Sequence, residues 1–286
     1  MLVILESGVA IGALYALAAL GMVLIYKTTG VVNFAHGTIA MMATFFMTQL
    51  LRGHMPVAVA LLVTMAFAAA LGAAVEWLLV RRVQGAPVLS SIILTLGLYY
   101  VFEGVAGILW GFTPQNFPAQ ITGNLVVGRV ALPLQDIVAV LVLLVLTAGL
   151  YVVFQYTMVG LAMRATFQRL STARLMGVPA GRVFASTWAV GSILGAIAGI
   201  LIVPVTLLQP SMMDNVLLLA FAAAVVGGFN SIPGTIIGGI LVGVVEALVG
   251  GLLSSQIKDS VIFALIVLIL YIKPTGLFGS EPVEKV

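Results

Sequence analysis

A chain of 286 residues that is 62% hydrophobic and only 7% charged, with a mean hydropathy of +1.26, cannot cover a soluble core with polar surface. It reads as a polytopic membrane protein. No cysteine is present, which excludes disulfides, thiol nucleophiles and thiolate-held metal, and two histidines, His36 and His54, are too few for a multi-histidine metal site. The net charge of +3 sits on Lys and Arg at segment ends, which makes it a topology signal and not a nucleic-acid one.

At about 20 apolar residues per crossing, the chain has room for roughly eight to ten spans and none for a soluble domain. Any ATPase or receptor that the function requires must therefore be another chain. The N-terminus lacks the basic region of a cleavable signal and is taken as the start of the first span. Apolar segments are predicted at 3–26, 30–51, 56–80, 86–111, 131–157, 182–206, 214–228, 233–253 and 259–273. The 214–228 segment is short, ends in Gly-Gly, and is read as a span or a re-entrant element. Between 112 and 131 runs the longest outer connection, where Pro114, Pro118 and Pro133 argue against a continuous helix.

Placing Arg81, Arg82 and the arginine-rich stretch near 164–182 inside puts the N-terminus outside and the C-terminus inside. Inner loops then hold Lys27, Arg81, Arg82, Arg164, Arg169, Arg174, Arg182, Lys273 and Lys285, against Arg52, Arg129 and Lys258 outside. That bias obeys the positive-inside rule.

Three acids lie in or near the spans, where a charge at the bilayer centre costs at least about 2.5–3.5 kcal/mol and so needs a partner, water or a proton. Glu76 precedes Arg81 and Arg82 by little more than a helical turn, so a local ion pair is expected. Glu103 and Glu246 lie mid-segment and are either pathway residues or interhelix hydrogen-bond partners. Glycines recur every four residues at Gly191, Gly195 and Gly199, and similarly at Gly234, Gly238, Gly239 and Gly243. This spacing lets transmembrane backbones approach closely. Two turns, Asn33-Phe-Ala-His-Gly37 and Asn230-Ser-Ile-Pro-Gly234, also align. Gly30/Gly227, Asn33/Asn230, Gly37/Gly234, Thr38/Thr235 and Ile39/Ile236 are identical, as expected either of a duplicated transporter architecture or of two unrelated Gly-rich turns. His36 is expected to fix its turn or to face the pathway, and Asn33 likewise.

Residues 158–181 form an acid-free basic stretch with Leu161, Phe167, Leu170 and Leu175 on part of one helical face and Gly177-Val-Pro179 as its end. Two readings fit: a helix lying on anionic lipid, or a coupling helix that inserts into a cytosolic motor subunit.

Four stretches carry a resemblance. Arg164-Ala165, Ala173 and Gly177-Val178 resemble the shortened Ala/Gly coupling motif of ABC-importer permeases for hydrophobic amino acids. Asn33-Phe-Ala-His-Gly37, Gly227-Gly-Phe-Asn-Ser-Ile-Pro-Gly234 and the ending Lys273-Pro-Thr-Gly-Leu-Phe-Gly…Glu281-Pro-Val-Glu-Lys-Val286 resemble the LivH-type permeases of branched-chain amino-acid importers. Two stretches depart from that pattern: Thr38 follows His36-Gly37 where relatives tend to carry an acid, and Gln168-Arg169 occupy the middle of the coupling segment where acids are common. The second departure bears on the contacts that reach the ATPase.

The resemblance implies an all-α integral membrane permease domain over 1–286, with about eight or nine transmembrane or re-entrant segments and one cytoplasmic coupling helix, in a bacterial inner membrane. It implies a paralogous permease as heterodimer partner, two ATP-binding subunits and a periplasmic receptor delivering leucine, isoleucine or valine. Arg164, Ala165, Ala173 and Gly177 would serve ATPase coupling. Asn33, His36, Gly37, Glu103, Asn230, Gly234 and Glu246 are candidates for the translocation pathway. No cofactor is expected, and ATP hydrolysis belongs to the partners because this chain has no phosphate-binding loop. A urea or short-amide permease of the same family, an ion-coupled carrier using Glu103 and Glu246, and a membrane scaffold remain as alternatives.

Overall fold

The computed structural model describes residues 1–118, 121, 123–127 and 130–279. Arg129, Lys285 and the ending Glu281–Val286 lie outside the described residues. All nine predicted apolar segments are helical. They are α1 (Leu2–Thr29), α2 (His36–Arg52), α3 (Val57–Leu78), α4 (Val88–Trp110), α5 (Leu134–Tyr156), α8 (Ala180–Thr206), α9 (Asp214–Gly227), α10 (Ile232–Leu252) and α11 (Lys258–Ile272). Two short helices, α6 (Met158–Gln168) and α7 (Leu170–Leu175), occupy the basic stretch. Six helices, α1, α3, α4, α5, α8 and α10, are long and apolar enough to cross a membrane. The 17-residue α2, 14-residue α9 and 15-residue α11 are shorter.

The fifth segment differs from expectation at its start. Asn124–Val127 (β1) and Val130–Pro133 (β2) pair antiparallel, so the helix opens at Leu134 and not at 131. Pro133 cannot donate to a ladder and suits the last position of a strand, next to the helix start.

The chain divides into two compact units. One comprises Met1–Val23, Ile121–Leu143 and Asn215–Val286; the other comprises Leu24–Gln120 and Leu144–Asp214. In the first, α1 and α10 meet through glycine. A methyl placed on Gly12 would lie 2.7 Å from the Gly239 carbonyl oxygen and 2.8 Å from the Ile240 Cα, and one on Gly239 would strike Ala16. Gly8 and Gly243 repeat the pattern, so the spaced glycines act as packing surfaces. Replacing Gly12 with Val should therefore push the two backbones apart. The expected cost is roughly 1–3 kcal/mol, read as a lowered unfolding temperature of the purified chain in detergent; an unchanged temperature would refute this contact.

The same unit explains the Lys273–Gly279 stretch. Its backbone folds back so that Leu277 and Phe278 donate N–H bonds to the Val226 and Gly227 carbonyls, at 2.8 and 3.0 Å. These are orphan acceptors at the end of α9. Gly276 takes φ +78° to make this turn and packs on the Gly228 backbone.

The second unit is centred on α2, α3 and α8. α8 buries Gly195 against the His36 imidazole and Gly199 against Thr44 and the Ala40 carbonyl, while Gly72 of α3 faces Ser192 and the Trp188 carbonyl. Ala43, Ala68 and Ala196, one from each helix, form a small-residue core, and Trp188 packs among Ile25, Val75, Val80 and Leu98. Small residues at the crossings are what lets α2 disappear almost wholly into the protein. By contrast, Ile93, Tyr100 and Ile108 on α4 and Val145 and Tyr156 on α5 are exposed. Apolar surface of that extent belongs in lipid or against a partner.

Candidate functional site

The basic stretch is an elbow of two helices and not one continuous helix. Thr157 opens α6, its hydroxyl accepting the Gly160 N–H at 3.1 Å. Gly160 sits against the Val153 and Phe154 backbone, a fit that a side chain would block. Gly160, Met163 and Thr166 are buried along one face. At Arg169 the backbone becomes extended, with φ −151° and ψ 99°, and α7 begins at Leu170. Leu161 and Phe167 thus lie on a different helix from Leu170 and Leu175, which corrects the single shared face expected above. The physical reason is that two short helices, each set by its own buried contacts, satisfy the turn better than one straight rod.

α7 ends in a Schellman motif. Val178 donates to the Ala173 carbonyl at 3.0 Å, Gly177 donates to the Arg174 carbonyl at 3.1 Å, and Gly177 has φ +81°. Beside it, Leu175 is 88% and Met176 81% exposed, while Ala173 is buried. Arg164 donates to the Gln155 side chain at 3.2 Å, Ala165 is half-buried, and Arg169, Arg174 and Arg182 are exposed. The elbow therefore presents apolar side chains at its tip and cations around it.

The elbow is anchored by a residue that sequence reasoning placed only as a local partner. Arg81 donates from Nη2 to Glu76 Oε2 at 2.8 Å and from Nε to Glu76 Oε1 at 3.2 Å. The same guanidinium donates from Nη2 to the Gly181 carbonyl at 2.7 Å. Glu76 is fully buried. The expected Glu76–Arg81 pair is present, and it also ties the end of α3 to the first turn of α8, four residues after Gly177. No spacing rule reveals a bond across a hundred residues.

The seven pathway candidates separate. Asn33, His36 and Gly37 share the turn into α2 in one unit, and all three are buried. The Asn33 side-chain oxygen, Oδ1, accepts the Ala35 N–H at 3.0 Å, holding the turn. Glu103 is half-buried on α4, whose Tyr99 hydroxyl donates to Asp214 at 2.8 Å. In the other unit, Gly234 packs on the Gly227 carbonyl, and its N–H donates to the Ser231 hydroxyl at 3.1 Å. Asn230 lies in the preceding turn. The two aligned turns both precede a helix, but the positive-φ glycine is Gly30 in the first and Gly228 in the second. Their likeness is therefore not residue for residue.

Glu246 has two partners. Tyr15 of α1 donates to its Oε2 and Lys258 of α11 to its Oε1, both at 2.6 Å. Lys258, counted above as an outer-loop charge, is thus the ammonium that neutralises an intramembrane acid and joins three helices. Lys258→Met would leave Glu246 buried with only a hydroxyl donor. The expected destabilisation is roughly 3 kcal/mol, larger than that of Glu246→Gln, with thermal unfolding as the measure. Equal effects would show that the ion pair is not the source.

Residues 4–270 match the family described as branched-chain amino acid transport system / permease component. The chain is 31% identical to the high-affinity branched-chain amino acid transport system permease protein LivH of Escherichia coli K12, covering 98% of this chain and 96% of LivH. It is 32% identical to LivH of Salmonella typhimurium over the same shares, and 31% identical to BraD of Pseudomonas aeruginosa over 99% of this chain and 97% of BraD. Among solved structures, PsaBC from Streptococcus pneumoniae in complex with Fab aligns with a TM-score of 0.51 at 10% identity, covering 95% of this chain and 92% of that one. At that identity the likeness concerns the fold alone.

Proposed function

The chain belongs to the branched-chain amino acid transport system permease family, and from that membership we propose the way in which it is driven. It is a multi-pass membrane protein and the permease subunit of a branched-chain amino-acid importer. Leucine, isoleucine and valine are the proposed cargo. In our reading, the permease domain extends over 1–286, a related permease completes the pathway, two ATPase subunits bind the inner face, and a periplasmic receptor delivers the substrate.

The observation that carries the mechanism is the elbow at 158–178. Its tip exposes Leu175 and Met176 beside the Gly177 turn, its inner face is buried on its own unit, and Arg81 fastens the segment that follows. Closure of an ATPase dimer would press on this tip, and the rigid Ala173–Gly177 cap would pass the displacement to α8 instead of absorbing it. Arg164, Ala165, Ala173 and Gly177 are the proposed coupling residues. Glu103, half-buried and beside Asp214, is the pathway candidate that retains access; the buried Asn33, His36 and Gly37, and Asn230, Gly234 and Glu246, are proposed to hold the walls in shape.

An ion-coupled carrier would need an intramembrane acid free to exchange its ion. Glu246 is committed to Lys258 and Tyr15, which removes one of the two acids such a carrier would use, and leaves Glu103 as the other. Reconstitution of the complete assembly in liposomes tests the ATP-driven reading. Leucine uptake is expected to need ATP and the ATPase subunits; uptake on an ion gradient without them would overturn the proposal. Uptake of urea or a short amide in place of leucine would move the cargo and leave the drive intact.

A further inference from the structure

A cavity of about 500 Å³ lies within the second unit between the end of α1, the loop before α4, the elbow and the start of α8. All of these are inner-face positions by the positive-inside reading. Lys27, Thr29, Gln84, Ser91, Thr166 and Arg174 contribute the polar part of its wall, and Val31, Val88 and Phe184 part of the apolar remainder. The lining contains two cations and no acid.

Among the described residues neither cation has an ion-pair partner. The Lys27 ammonium stands 5.3 Å from the Phe167 ring centroid. Among the described residues no carboxylate lies within ion-pair distance of Lys27 or Arg174; the described ion pairs join Arg81 to Glu76 and Lys258 to Glu246. The acid that the lining touches is Glu76, reached by Gln84 at 3.4 Å and already held by Arg81. A half-buried lysine and an exposed arginine on the wall of one hollow of this size, with no counter-charge among the described residues, give it the character of an anion site. Its position at the inner interface and its mixed wall match the basic interhelical pockets that hold phosphorylated headgroups.

We propose that this cavity binds a phosphate-bearing anion, supplied by an anionic phospholipid headgroup or by free inorganic phosphate, and that the bound anion links α1 to the elbow through Lys27 and Arg174. Binding depends on the cavity alone and stands apart from the transport reading.

Native mass spectrometry of the full-length chain tests it, with phosphatidylglycerol against phosphatidylcholine as one arm and equilibrium dialysis of radiolabelled inorganic phosphate as the other. The unmodified chain is expected to retain phosphatidylglycerol at least tenfold better than phosphatidylcholine, or to bind phosphate. The double variant Lys27→Gln/Arg174→Gln should lose this preference. Ala86→Trp, which fills the cavity from an exposed lining position and leaves both cations in place, should lose it too. Arg182→Gln removes a nearby inner-face cation outside the lining and should change nothing. Selective lipid retention assigns the headgroup as source, and phosphate binding assigns the free anion. The proposal is overturned if neither ligand binds selectively, if binding survives both cavity variants, or if Arg182→Gln reduces it as much as the double variant does, since diffuse surface attraction would then suffice.

Discussion

Gly177→Val is expected to abolish substrate-stimulated ATP hydrolysis by the assembled importer, by at least tenfold, with the subunit still inserted in the membrane. The reason is conformational and not steric. Gly177 has φ +81°, yet a Cβ added there would meet no atom within 4 Å. An L-residue in this region costs roughly 1–2 kcal/mol, more when β-branched. A six-residue helix such as α7 has little intrinsic stability to set against that cost. The Schellman bonds from Val178 to Ala173 and from Gly177 to Arg174 would open, and the tip would lose its shape where the motor is proposed to press. Gly177→Asn supplies the control. Asn tolerates positive φ and the space is open, so coupling should be largely retained. If Gly177→Val couples normally, the elbow is not the input; if Asn fails as badly as Val, the requirement is not for a positive φ.

Arg81→Ala is expected to be the most destabilising single change near the inner face, at roughly 3 kcal/mol. It strands the fully buried Glu76 carboxylate and removes the donor to the Gly181 carbonyl. Breaking a buried pair from one side is costly because the remaining charge is left in low dielectric; removing both sides is far milder. The double variant Glu76→Gln/Arg81→Ala should therefore recover much of the stability. It should not recover coupling, because the tether to Gly181 is still missing. Thermal unfolding and substrate-stimulated hydrolysis, measured on the same preparations, separate the two effects. Parallel recovery of both would mean that the tether plays no part in transmission.

These expectations rest on features that differ in how far a sequence discloses them. The Gly177 turn could be read directly, because a Gly-Val-Pro ending after a short amphipathic run has few other uses. The break at Arg169 could not. Helical periodicity continues across it, and only the burial of Gly160, Met163 and Thr166 on one side and Ala173 on the other decides that two helices pack better than one. The Glu76–Arg81 pair was legible from its spacing of five residues; its extension to Gly181 was not. Glu246 was recognisable as an acid needing company, and nothing local named Tyr15 or Lys258 as that company. The pairing of 124–127 with 130–133 was concealed because their Val and Leu residues suit strand and span alike, and the cavity beneath the elbow has no signature in any one segment.

The sequence by itself determined what the bilayer enforces: nine apolar helical segments, an expected orientation from the distribution of Lys and Arg, and a family membership carried by motifs from end to end. Those follow from transfer free energy and backbone hydrogen bonding, which act on each segment separately. Only the tertiary structure decided which acids are neutralised, which glycines touch backbone, where the basic stretch bends and where two cations face an acid-free hollow. Each of these depends on side chains far apart in the chain arriving within about 3–5 Å of one another, a distance over which hydrogen bonds and close charges act and which no local pattern encodes.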